Sequence, residues 1–238
     1  MKHMSFIIAA LSFCSVALAS PQEVIVSPVD HLFVPQGFDN NDNVEVIVTG
    51  KFPNPCFIRN KIDVVVKDEK ISIKMTAVKR KEESSELCEP MAIPFREEIS
   101  LGSLQGGNYQ IAVNESTRYG QNENLLVEVS SSDSVDDHLY PIAEYVELGF
   151  TGGLSGDAVI YAKTPSDCVS FDHVEYMTNK KDTISILPVM KKTGSVCNEH
   201  QTRIEIPVKF NVKALPHSEV LLYVRSVEGK SINSLIQK

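Results

Sequence analysis

One stretch of this chain occurs twice at a fixed offset, and that repetition limits the possible folds more than any other feature. Gly37-Phe38 leads through Val46 and Val48 to Pro53 and Cys56. Gly149-Phe150 leads through Ala158 and Ile160 to Pro165 and Cys168, with every landmark displaced by 112 residues. A period of that size in a chain of 238 residues predicts two domains, each long enough to bury its own core.

The segments between the landmarks have strand periodicity. Val44, Val46 and Val48 alternate with Glu45 and Thr49, Ile71, Ile73 and Met75 alternate with polar neighbours, and Ile204, Ile206, Val208, Phe210 and Val212 do so over the longest run, with polar residues and a Pro between them. Turn formers separate them roughly every ten residues, and no segment keeps a helical period. The expected fold is all-β, two tandem immunoglobulin-like β-sandwich domains. The Cys-Trp-Cys pattern of true immunoglobulin domains is missing, since Trp is absent, so the expectation concerns architecture only.

Residues 1–19 read as a signal peptide. Lys2 and His3 give a basic start, Phe6 to Val16 is mostly apolar, and Ala17-Leu18-Ala19 is a small-x-small cleavage site. Cys14 in the apolar run raises a lipoprotein reading, which the bulky Phe13 before it disfavours. The run is too short for a comfortable membrane span, and none later is longer, so no transmembrane segment is expected. The first sandwich is then assigned to 20–129 and the second to 138–238. Residues 130–137, almost devoid of apolar side chains, form the linker and the expected protease-sensitive joint between two independent halves. The product is exported, periplasmic or secreted after cleavage near Ala19. Loss of Lys2 takes the net charge from −8 to −9, which suits solubility and disfavours nucleic acid or anionic lipid as partner.

Four cysteines remain after Cys14 is set aside, two per repeat. The repeat selects Cys56–Cys88 and Cys168–Cys197 among the three possible pairings, because each domain then holds its own bridge. A four-cysteine metal site would need ligands two to four residues apart, and none are that close.

Signals for catalysis are weak. His31, His138, His173, His200 and His217 are scattered. Gly152-Gly153-Leu154-Ser155-Gly156 lacks the residue between Ser and the second Gly that a nucleophile elbow requires. Lys79-Arg80-Lys81 runs directly into Glu82 and Glu83, and reads as a solvated hairpin tip. Asn114-Glu115-Ser116 is a glycosylation sequon, relevant in a eukaryotic host. The candidate binding surface is Asp39, Asn40, Asn41, Asp42 and Asn43, together with Asn54 in the Pro53-Asn54-Pro55 turn. The second repeat lacks this Asp/Asn run, so the scaffold does not demand it. Asp39 and Asp42 offer the hard oxygens that Ca²⁺ prefers, though at no EF-hand spacing; the competing reading is an Asx-rich turn. No other cofactor is expected.

The string Gly37-Phe38-Asp39-Asn40-Asn41-Asp42-Asn43, followed by Gly50, Phe52-Pro53-Asn54 and Cys56, resembles a group of small exported bacterial β-sandwich proteins. The resemblance covers the first repeat best. It implies a bacterial exported β-sandwich and carries no activity across.

The expected function is non-enzymatic binding of a protein or envelope component. One rival is a secreted inhibitor or periplasmic chaperone that uses a strand edge. The other is a hydrolase whose carboxylates meet only in the fold. A long unpaired edge strand would favour the inhibitor or chaperone, and two close carboxylates in a pocket would favour the hydrolase. The oligomeric state is not encoded in any pattern found.

Overall fold

Alternating β-branched segments divided by Asn, Asp, Gly and Pro fold here into sixteen strands, with no α-helix among the described residues. The computed structural model describes residues 22–80, 88–130, 139–150, 155–194 and 196–238. The expected leader and its cleavage site, most of the charged hairpin tip at 79–86, linker residues 131–137, His138, and residues 152–154 of the glycine turn lie outside these.

In the first sandwich, β2 (Val29–Phe33), β4 (Val44–Phe52) and β7 (Ile93–Gly102) make one sheet. β5 (Phe57–Lys67), β6 (Lys70–Lys79), β8 (Gly107–Val113) and β9 (Gln121–Glu128) make the other, extended by the short β1 (Val24–Val26) and β3 (Phe38–Asp39). The second sandwich repeats the plan. β10 (Ile142–Phe150), β11 (Ser155–Lys163) and β14 (Arg203–Asn211) face β12 (Val169–Thr178), β13 (Thr183–Lys192), β15 (Glu219–Arg225) and β16 (Ser231–Gln237). β6 pairs parallel with β8, and β13 parallel with β15, because the strand between each pair crosses to the other sheet. Even the irregularities repeat. The β5–β6 bulge falls between Arg59 and Lys61, and the β12–β13 bulge between Phe171 and His173, again 112 residues on.

Each sandwich carries one disulfide in the same place, just before its edge strand: Cys56–Cys88 and Cys168–Cys197, with Cα separations of 5.4 and 5.2 Å. Closing loops of 32 and 29 residues contributes about 3–4 kcal/mol each in the chain-entropy model. Replacing both cysteines of either bridge with alanine should lower stability by about that amount in urea unfolding. A loss under about 1 kcal/mol would mean that the bridge closes no costly loop.

The two sandwiches are not independent halves, which corrects the picture of a free joint between them. β15 alternates between two cores. Val220, Leu222 and Val224 pack into the second sandwich, while Leu221 and Tyr223 belong to the core of the first. β16 does the same, with Ile236 and Ile232 on one side and Leu235 on the other. The facing surface is the outer side of β2-β4-β7, where Phe33 and Ile47 are cross-strand partners with no exposed surface. Each such fully buried aliphatic or aromatic side chain contributes about 1.5–3 kcal/mol, so the seam is part of the folding free energy of both domains.

The same four-stranded face is open in the first sandwich, and the sequence explains why. Aligning Ile184-Ser185-Ile186 with Ile71-Ser72-Ile73 puts Lys74 where Leu187 stands. Aligning Val224 with Val113 puts Gln110 and Ala112 where Leu221 and Tyr223 stand. A dry, apolar docking face in one copy carries an exposed lysine and an exposed glutamine in the other.

Candidate functional site

Every residue of the Asp39–Asn43 run is engaged in the fold. The Asp39 N–H donates to Asp42 Oδ2 at 2.9 Å, and the Asn41 N–H donates to Asp39 Oδ1 at 3.2 Å. The Asn40 N–H donates to the Glu128 carbonyl, and its side chain accepts from the Ser130 N–H, tying the turn to the end of β9. Asn43 Oδ1 accepts from the Ser100 hydroxyl. Asn54 closes its own turn, accepting from the Cys56 N–H at 3.0 Å. These are Asx turns of the kind the residue types favour.

Asp39 and Asp42 are buried, and Asp42 forms an ion pair with Arg225 across the seam. Its charge is met by a guanidinium. Arg225 is 1% exposed. Its guanidinium lies 4.6 Å from the Phe38 ring and 5.5 Å from Tyr140. Burial works against its charge, but Tyr223, Asp42 and Tyr140 outweigh it and raise its pKa further. Beside it, burial pushes the Glu45 carboxyl above the usual carboxylate range, against the hydrogen bond from the Ser231 hydroxyl, which favours the ionised form. The Gly-Phe landmark has a separate role in each copy. Gly37 has φ of +90°, and a Cβ there would come within 3.0 Å of Met177 and Leu187. Gly149 lies within β10, outside the left-handed region.

Asn114 of the sequon is 4% exposed. Its Nδ2 donates to the Ser27 carbonyl and its Oδ1 accepts from the Met75 N–H, so this amide is a structural bracket with no room for a glycan.

A site that sequence order conceals lies at the other end of the seam. His31 on β2, Asp182 before β13 and His217 before β15 come together so that one ligand atom from each lies within 4.8 Å of the other two. His31 Nε2 is 2.7 Å from Asp182 Oδ2. The His31 and His217 rings meet edge to face at 5.1 Å, and His31 also rests on Phe33 at 4.4 Å. Asp182 owes its position to a longer hairpin. The first repeat joins β5 to β6 with Asp68 and Glu69 alone, Asp68 having φ of +52°, whereas the second uses Asn179 to Asp182. Asn179 Oδ1 gathers the N–H groups of Lys181, Asp182 and Thr183, while Asn179 Nδ2 and the Thr183 hydroxyl donate to Asp182 Oδ1 at 2.7 and 2.8 Å. Burial acts to raise the Asp182 carboxyl, but the hydrogen bonds from His31, Asn179 and Thr183 prevail and hold it below the usual carboxylate range. The cluster borders a cleft of ≈ 780 Å³ between the sandwiches, lined among others by Asp30, Thr49, Arg96, Ser218 and Glu219. Sequence reading missed this site because His31 and His217 lie 186 residues apart; the extra hairpin residues were its one visible trace.

Other histidines are local. His173 sits between Asp172 and Glu175 on the exposed edge strand β12, and its partners there raise its pKa, Glu175 foremost. His200 is exposed.

Residues 46–122 match the family model of the ORF11 beta-sandwich domain, a span of 77 of the 238 residues running from β4 into β9. No curated protein and no solved structure matches the chain.

Proposed function

We propose that this is an exported, non-enzymatic protein-binding module that receives an extended segment of its partner along the outer edge of β5. The observation that carries this is the free edge itself. β5 is eleven residues long and, among the described residues, pairs with β6 on one side only. An open strand edge presents a row of backbone N–H and C=O groups, and an extended polypeptide is the occupant that satisfies them in register. The first half of β5 is blunted by the bulge and by Arg59 and Lys61, whereas Val64-Val65-Val66 is regular, with Val65 59% and Val66 44% exposed. Two disulfides support an oxidising, exported setting. No helix of the described residues is long and apolar enough to cross a membrane. The match to a β-sandwich domain family falls within the sandwich that bears this edge and includes β5.

A photoreactive residue at position 65 in the native envelope fraction tests the reading, with one at the exposed Tyr145 as control. Position 65 should give polypeptide adducts and position 145 should not. With the captured partner purified, the amides of Arg59 to Lys67 should gain protection from hydrogen exchange. Adducts from position 145 alone, adducts from neither position, or β5 amides exchanging at their free rate would each overturn the proposal.

A further inference from the structure

We infer that His31, Asp182 and His217 form a binding site for a zinc-class divalent metal ion that clamps the two sandwiches together. Two imidazoles and a carboxylate are the donor set of borderline ions, Zn²⁺ foremost among redox-inert ones, and a poor set for Ca²⁺ or Mg²⁺, which take oxygen. The three donor atoms already lie within 4.8 Å of one another. Tetrahedral zinc with bonds near 2.0–2.1 Å separates its ligand atoms by about 3.3 Å. Loading therefore replaces the 2.7 Å His31–Asp182 hydrogen bond with two metal bonds and draws His217 inward by a side-chain adjustment. His217 is exposed and free to make it, while its backbone N–H, 3.4 Å from the Lys181 carbonyl, keeps its loop beside the Asp182 turn.

The supporting groups also fit. A metal-bound carboxylate needs its second oxygen fixed, and Asp182 Oδ1 is held by Asn179 and Thr183. The ring of His31 is oriented by Phe33. The cleft beside the cluster gives an ion a way in and leaves room for water as a fourth ligand. The four cysteines among the described residues are locked in disulfides and do not compete for the ion. His31 comes from the first sandwich, and Asp182 and His217 come from the second. Binding therefore depends on the seam and strengthens it by mass action.

The test uses the full disulfide-bonded mature chain at pH 7.5. Zinc titration by calorimetry should show one ion per chain with a dissociation constant in the micromolar range or tighter. Co²⁺ should give the visible absorption of a four-coordinate site. His217→Ala alters an exposed side chain that the fold does not need, and should weaken binding at least tenfold, as should His31→Gln. His173→Ala and His200→Ala should leave it unchanged. At one hundred times the native dissociation constant, zinc should shift the folding equilibrium about a hundredfold toward the folded state in the native sequence and by about tenfold or less in His217→Ala. No binding at 100 µM zinc, binding that survives both His217→Ala and His31→Gln, or binding lost to His173→Ala or His200→Ala would each overturn the assignment.

Discussion

Asp42→Ala should destabilise the whole protein by about 3–5 kcal/mol, because it leaves the Arg225 guanidinium buried without its carboxylate. Little of that loss reflects the strength of the ion pair as such. Desolvating two charges costs nearly as much as their attraction returns, so the penalty comes from the stranded partner. The double variant Asp42→Ala with Arg225→Met distinguishes the two accounts. It removes the orphaned charge and keeps the volume beside Phe38 and Tyr140, so it should recover most of the loss. Urea unfolding of the two variants reads the effect directly. A loss under about 1 kcal/mol for Asp42→Ala would mean that water reaches Arg225 and that the seam is wetter than its 1% exposure indicates.

Phe38→Ala should cost a similar amount, about 3–5 kcal/mol, by opening a cavity where the two sandwiches meet. Phe38 is 1% exposed, stands edge to face with Tyr223 at 5.9 Å and lies 4.6 Å from the Arg225 guanidinium. It belongs to the first sandwich and its partners to the second. The decisive observation is cooperativity. Tyrosine fluorescence and far-ultraviolet circular dichroism should report one coincident transition in the native protein, displaced as a whole in Phe38→Ala. Cleavage within the 130–137 linker should leave two fragments that stay associated through Leu221, Tyr223 and Leu235. Two separate transitions, with only the first displaced, would show that the shared core is not a folding unit.

These outcomes bear on how much of the molecule its sequence encodes in readable form. The two sandwiches and their disulfides were legible because strand alternation and turn chemistry are local, and because a 112-residue repeat carries the pairing of Cys56 with Cys88 over to Cys168 with Cys197. The Asx turns at Asp39–Asn43 and Asn54 were also legible as turns, since those side chains bond backbone two or three residues away. Which way Asp42 would spend its charge was not, because Arg225 lies 183 residues on and its guanidinium arrives only when β15 is buried on both faces. The same holds for His31 and His217. Val220 to Val224 is an unbroken apolar run, and a strand with two apolar faces does not say what covers each. The amino-acid sequence by itself determined the repeating scaffold, whose interactions are short in range. The tertiary structure alone decided the seam, the buried Arg225–Asp42 pair and the His31–Asp182–His217 cluster, because burial and charge neutralisation act between residues that only the packed sheets bring together.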